Sequence, residues 1–135
     1  MCKVGLFGTC TSKWRDELIP MLKIDYFNPV TDNWDFEHRQ EELKQRKDCD
    51  FCLYVITPKM AGFYSIAEVV DDSNKRPKKT ILCVLEKDGD VKFNDKQMKS
   101  FLAIQEMIIK NGGLVFCDLK SCAEYLNKIK MYGNE

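Results

Sequence analysis

The chain has 135 residues, with 21 Lys plus Arg against 21 Asp plus Glu; that length suits one domain over 1–135 and leaves no room for a second of any size. A formal charge of zero excludes a general polyanion binder, which needs concentrated basic excess, so polymeric nucleic acid is not an expected partner. Hydrophobic residues make up 44%, with only 7 Gly and 4 Pro, so a packed core is expected and disorder is not.

In chain order, Lys3 to Phe7 reads as a short strand, followed by the polar loop Gly8-Thr9-Cys10-Thr11-Ser12. Trp14, Leu18, Met21 and Leu22 have helical spacing, with Ser12 as the cap and Pro20 as a residue that kinks or shortens the helix. Ile24 to Phe27 is a second strand ended by Asn28-Pro29, and Thr31 to Asp35 is loop. Phe36 to Lys47 is a charged, exposed helix. Phe51 to Ile56 is an unbroken apolar run, as in a central parallel strand covered on both faces. A helix over about Ser65 to Asn74, a buried strand at Thr80 to Leu85 and an acidic turn at Lys87 to Asp90 come next. A long helix from Asp95 to Lys110 stops at Gly112-Gly113, then a strand at Leu114 to Cys117 and a helix at Ser121 to Met131 follow. Five strands alternating with five helices predict right-handed βαβ units. The fold class is therefore α/β, a flavodoxin- or Rossmann-like three-layer sandwich on a five-stranded parallel sheet.

No apolar run approaches the ~20 residues that cross a bilayer, and Met1 to Phe7 lacks the long apolar core and cleavage site of a signal peptide. The expectation is a cytoplasmic chain with no membrane partner. The 7 cysteines are odd in number. Cys52, Cys83 and Cys117 fall inside apolar runs, so structural thiols are expected rather than a disulfide framework. Cys49 and Cys52 have C-x-x-C spacing but run into a strand instead of opening a helix, and zinc would need two more ligands where His38 is the only histidine. No metal site and no cofactor are expected.

Open parallel sheets bind ligands beyond the carboxyl ends of their strands. Those ends present Gly8, Thr9 and Cys10 with Arg15, then Asn28 with the Asp32 to Asp35 loop around Trp34, then Thr57 with the segment Gly62 to Glu68 that holds Tyr64 and Ser65. Gly8 lacks the further glycines of a dinucleotide fingerprint, and no Walker lysine follows. Glu68 has two readings. In one, the helix macrodipole keeps it ionised beside the cleft, where it attacks an anomeric carbon or stabilises an oxocarbenium-like state, with Tyr64 in hydrogen-bonding reach of it or of the ligand. In the other, Ser65-Ile66-Ala67-Glu68 is a capping box, and the apolar stripe Phe63, Ile66, Ala67 and Val70 turns Glu68 away from the core; spacing alone favours this cap. Asp32 and Asp35 are either acceptors for a base stacked on Trp34 or parts of a solvated turn. Asp50 reads as a polar residue at a strand entrance, Glu42 as one charge on a solvated face and His38 as exposed. Arg15 has either an anion-holding role or, by default, a surface ion pair with Asp16 or Glu17.

The segments Lys3 to Cys10, Trp14 to Leu18, Asp25 to Pro29, Cys49 to Thr57 and Tyr64 to Asp72 together resemble the nucleoside 2-deoxyribosyltransferase-like family, in its short bacterial and phage-borne branch. The resemblance covers nearly the whole chain in order. It implies a flavodoxin-like sheet, a homo-oligomer, and 2-deoxyribose transfer between bases through a covalent glycosyl-glutamate. A sister group hydrolyses deoxynucleoside monophosphates with the same carboxylate. By position the resemblance makes Glu68 the nucleophile and Gly8 and Thr9 the loop bordering the deoxyribose or base. Glu42 stands eight residues before Asp50, where relatives place an aspartate that assists base protonation. Relatives also carry an aspartate about six residues before the glutamate, where Gly62 stands here. In such relatives a partner subunit completes the pocket, a part implied here for Asn94 or Met98. The implied activity is glycosyl transfer from a 2'-deoxynucleoside or deoxynucleotide to a free base or water. The alternative is a nucleotide-binding module without turnover, and the departure at Gly62 keeps it open.

Overall fold

Apolar runs too short for helices and rich in branched or aromatic residues become strands, and the order in which they pair sets where a ligand can sit. The computed structural model describes residues 2–32 and 34–133. The elements are β1 (Lys3–Gly8), α1 (Trp14–Leu18), a 3-10 turn (Ile19–Met21), β2 (Asp25–Phe27), α2 (Phe36–Asp48), β3 (Phe51–Ile56) and α3 (Tyr64–Lys75). After a second 3-10 turn (Pro77–Lys79) come β4 (Thr80–Val84), β5 (Lys87–Asp88), β6 (Val91–Lys92), α4 (Asp95–Lys110), β7 (Leu114–Phe116) and α5 (Leu119–Gly133). Five strands form one parallel sheet in the order β2-β1-β3-β4-β7, which is the flavodoxin-like order, and the expected fold class holds.

Alternation along β3 divides the interior. Leu53 and Val55 point into one core with Trp14, Leu18, Leu119, Cys122 and Leu126, beneath α1 and α5. Cys52, Tyr54 and Ile56 point into the other with Val69, Phe101 and Ile108, beneath α3 and α4. The chain leaves β1 toward β2 on one side, and β3 leads to β4 on the other. The strand order therefore reverses between β1 and β3, and a crevice opens beyond their carboxyl ends. Gly8, the last residue of β1, has φ +120°, and a Cβ there would lie 2.1 Å from the Val55 carbonyl oxygen. Only glycine lets the strand-end loop come this close to β3.

The first helix ends at Leu18, and Pro20 carries the 3-10 turn that follows, which is the shortening expected of that proline. Several other local expectations are corrected. Lys13, not Ser12, holds the N-cap position of the first helix, although Ser12 Oγ accepts from the Trp14 amide at 3.3 Å. The acidic turn is a two-stranded antiparallel hairpin, β5–β6, pivoting on Gly89 at φ +61°. Cys117 is exposed, whereas Cys49 and Cys52 are both buried free thiols; Cys52 Sγ donates to the Arg46 carbonyl. Asn94 caps α4 in a reciprocal box with Gln97, and Met98 packs against the second core. Among the described residues no helix is long and apolar enough to cross a membrane, and no cluster of His, Cys, Asp or Glu has metal-binding geometry.

Candidate functional site

A cavity of about 320 Å³ lies at the reversal between β1 and β3, in the size range of small-molecule sites. Its walls come from three strand ends with their loops and from three helices. The end of β1 and its loop give Gly8, Thr9, Cys10 and Thr11, and α1 gives the buried Arg15; the loop after β2 gives Pro29, Thr31 and Trp34; α2 gives Glu42; the end of β3 and its loop give Ile56, Met60, Ala61 and Gly62; and α3 gives Tyr64, Ser65 and Glu68. Nine of the twelve sequence-assigned residues are thus in one place. The other three are not on the wall. Asn28 is exposed, its Oδ1 accepting from the Val30 amide to form a turn. Asp32 is exposed. Thr57 is fully buried behind the wall, where its amide donates to Thr9 Oγ1 at 3.0 Å.

The β1 loop is held from within. Thr9 N donates to the Val55 carbonyl at 2.9 Å, and the Thr9 carbonyl accepts from Trp14 Nε1 and Arg15 Nη1, both at 2.8 Å. Arg15 also forks onto the Leu6 carbonyl through Nε and Nη2, at 3.0 and 2.7 Å. The default surface pair with Asp16 or Glu17 is therefore wrong: this guanidinium is buried and ties the end of β1 to α1. Burial pulls its pKa down to about 10, so it stays charged at neutral pH.

Glu68 lies on the cavity wall and is only 3% exposed. The capping-box reading fails because α3 starts one residue early: Phe63 holds the N-cap position with no side-chain cap, which makes Glu68 the fifth helical residue. The apolar stripe holds only in part: Ile66 and Val70 pack against the second core, but Phe63 is 73% exposed, and the fully buried face carries Glu68, Val69, Asp72 and Ser73. The expected ionisation by the macrodipole is also overturned, since that effect is confined to the first turn. Burial, then the nearby charge of Glu42, pushes the Glu68 carboxyl up to about 8, against the pull of Arg46. Its Oε2, itself buried, lies within ion-pair distance of Arg46 Nη1 at 3.3 Å and makes no aligned hydrogen bond.

Trp34 is 54% exposed and stands over the cavity mouth. Its indole N–H donates to Glu42 Oε2 at 2.9 Å, and its ring sits 6.2 Å from that of Tyr64 at a 58° tilt. Tyr64 also meets the Arg39 guanidinium, 5.8 Å from its ring centroid; among the described residues no hydrogen bond joins it to Glu68. Glu42 is half-buried on this wall, not a charge on an open face. Asp35 caps α2, accepting from the His38 amide at 2.9 Å and facing His38 Nδ1 at 2.7 Å. Asp50 accepts from the Lys3 amide at 2.8 Å, as its place at a strand entrance suggested.

Arg46, Asp72 and Tyr54 went unnoticed in the sequence. All three are buried behind Glu68: Arg46 reaches Asp72 through Nε at 3.2 Å and Nη2 at 2.9 Å, and the Tyr54 hydroxyl donates to Asp72. No hydropathy signal marks a buried arginine in so charged a helix. The clue is the acidic triplet of positions 68, 71 and 72 on the following helix, which needs a cation. Chemically, the arrangement offers an apolar slot with aromatic edges, two carboxyl groups with different surroundings, and a loop rich in backbone polar groups. Comparison with protein-family models, curated proteins and solved structures finds no match.

Proposed function

We propose that the chain cleaves the N-glycosidic bond of a 2'-deoxynucleoside or deoxynucleotide, passing the sugar to a second base or to water through a covalent bond to Glu68. The observation that carries this reading is the position of Glu68: a buried carboxyl on the wall of a cavity large enough for a nucleoside, with Arg46 within ion-pair distance behind it. The resemblance of the Tyr64 to Asp72 and Lys3 to Cys10 segments to the deoxyribosyltransferase-like family adds to it. The base would lie against Trp34 and Tyr64, with the sugar between Glu68 and the Gly8-Thr9-Cys10 loop.

The proton inventory closes. Burial pushes the Glu68 carboxyl up to about 8, which favours its protonated form at neutral pH, and the departing base needs a proton. As a Glu68 oxygen bonds to the anomeric carbon, the carbon–nitrogen bond breaks and its electron pair leaves on the base. The Glu68 proton passes to that base by way of Glu42 or a bound water. The acceptor base or water then displaces Glu68 and returns the proton, and two displacements retain configuration at the anomeric carbon. A Cβ at Gly62 would meet nothing within 4 Å, so the missing aspartate of the relatives leaves open space rather than a rearranged wall.

A second reading, ligand binding without turnover, draws on the same protonated carboxyl, which is a ready donor to a ribose oxygen. Incubating the protein with deoxyinosine and adenine separates the readings. Deoxyadenosine that forms with the wild type and not with Glu68→Ala supports transfer. Free hypoxanthine alone supports hydrolysis, and saturable binding without products supports the module.

A further inference from the structure

Behind the cavity wall, a buried guanidinium touches three carboxylates at once. Arg46 on α2 is 4% exposed, and its fork meets Glu68 at 3.3 Å, Asp71 at 3.0 Å and Asp72 at 2.9 Å. Only one of the three lines the cavity. Asp72, wholly buried, holds Arg46 through both Nε and Nη2, while the Tyr54 hydroxyl and Arg76 Nη2 hold Asp72 from β3 and from the end of α3. Burial works against the charge on Arg46, but the Asp72 hydrogen bonds outweigh it and raise the arginine pKa, so the cation is permanent. Glu68 is the loosest of the three contacts, within ion-pair distance and without an aligned hydrogen bond. A fully engaged fork would tie the carboxyl down; this contact reaches Oε2 alone and without alignment.

We propose that Arg46 and Asp72 are positioning residues for Glu68: Asp72 fixes the guanidinium, and the guanidinium aims the Glu68 carboxyl into the cavity without capturing it. The proposal rests on the reading of Glu68 as the attacking group, and neither residue touches the substrate. The charged groups around Glu68 are Glu42, Arg39 and Arg46 from α2 and Asp72 from its own helix. Tyr54 on β3 acts through Asp72. Glu42 and Asp72 favour the protonated form, and Arg46 and Arg39 favour the ionised one, so the two positioning residues act on Glu68 with opposite sign. A pair that merely filled space would not.

The test is an NMR titration of ¹³C-labelled glutamate carboxyls, with the Glu68 signal assigned by its loss in Glu68→Gln, in wild type, Arg46→Met and Asp72→Asn. Arg46→Met should move the Glu68 midpoint up and Asp72→Asn should move it down, each by roughly one pH unit. Midpoints that stay at the wild-type value, or move the same way, overturn the proposal. Should Arg46→Met not fold, Asp72→Asn decides alone: its midpoint must fall. In the deoxyinosine–adenine exchange, Arg46→Lys keeps the charge and loses the fork; kcat should drop about 10- to 100-fold with KM little changed, and full kcat overturns the aiming role. If the wild type exchanges nothing while the midpoints split as stated, the glycosyl reading fails and the positioning of the carboxyl stands.

Discussion

Replacing Glu68 by glutamine should make the protein more stable, and by an amount that depends on pH. The wild-type carboxyl titrates near 8 in the folded state against an ordinary value of 4.5, chiefly because it is buried. A folded state that holds its proton more tightly than the unfolded chain loses stability as pH rises between those two values, and the loss is complete above the higher one. At about 1.4 kcal/mol per unit, the interval corresponds to a penalty on the order of 5 kcal/mol at pH 9. Glutamine has nearly the same shape and no charge to desolvate, and Arg46 keeps Asp71 and Asp72 as partners. Urea unfolding followed by the emission of buried Trp14 should therefore show Glu68→Gln and wild type close together near pH 4.5. The variant should pull ahead by several kcal/mol at pH 9. Parallel pH dependences in the two proteins, or a variant less stable than wild type at pH 9, would refute the claim that this carboxyl is held at an energetic cost. Such a cost is expected of a group kept for chemistry rather than for the fold.

Three more outcomes follow from particular contacts. Gly8→Ala combines a φ of +120° with a Cβ placed 2.1 Å from the Val55 carbonyl oxygen, so it should cost at least ~3 kcal/mol in a urea melt; a loss under 1 kcal/mol would mean the loop can shift. Tyr54→Phe removes the buried donor to Asp72 and should lower stability by about 1–3 kcal/mol, with an unchanged urea midpoint counting against the network. Trp34→Phe keeps an aromatic edge beside Tyr64 but deletes the hydrogen bond to Glu42. It should weaken calorimetric binding of deoxyinosine roughly fivefold, and unaltered affinity would remove Trp34 from the base site.

How much of this could be read from the chain differs by element. Lys3 to Gly8, Phe51 to Ile56 and Thr80 to Val84 announce themselves because doubly covered strands are apolar throughout, and their number and spacing are enough to fix the layers. The hairpin at Lys87–Asp88 and Val91–Lys92 is invisible because each strand has two residues and only one of the four, Val91, is apolar. On α3, hydrophobicity marked only part of the packed face: Ile66 and Val70 meet the second core, but the helix also buries Glu68, Asp72 and Ser73 beside Val69, and polar residues that are buried for their partners carry no apolar signal. The same reason hid Arg46, one of several basic residues in a helix with no apolar stripe, whose partners lie more than 20 positions later. The strand-end rule, which depends on topology and not on side chains, named eleven of the twelve site residues, and eight of those line one cavity; the ninth on its wall, Glu42, came from the family resemblance.

The most direct test of the central claim is to weigh the protein after incubation with a 2'-deoxy-2'-fluoro-arabinosyl nucleoside, whose fluorine slows release of the sugar more than it prevents capture. The account predicts a mass increase of one fluoro-sugar per chain, mapped by proteolysis to Glu68 and missing from Glu68→Gln. An unmodified mass under conditions where the nucleoside saturates the site, or a sugar found on any other residue, would contradict it.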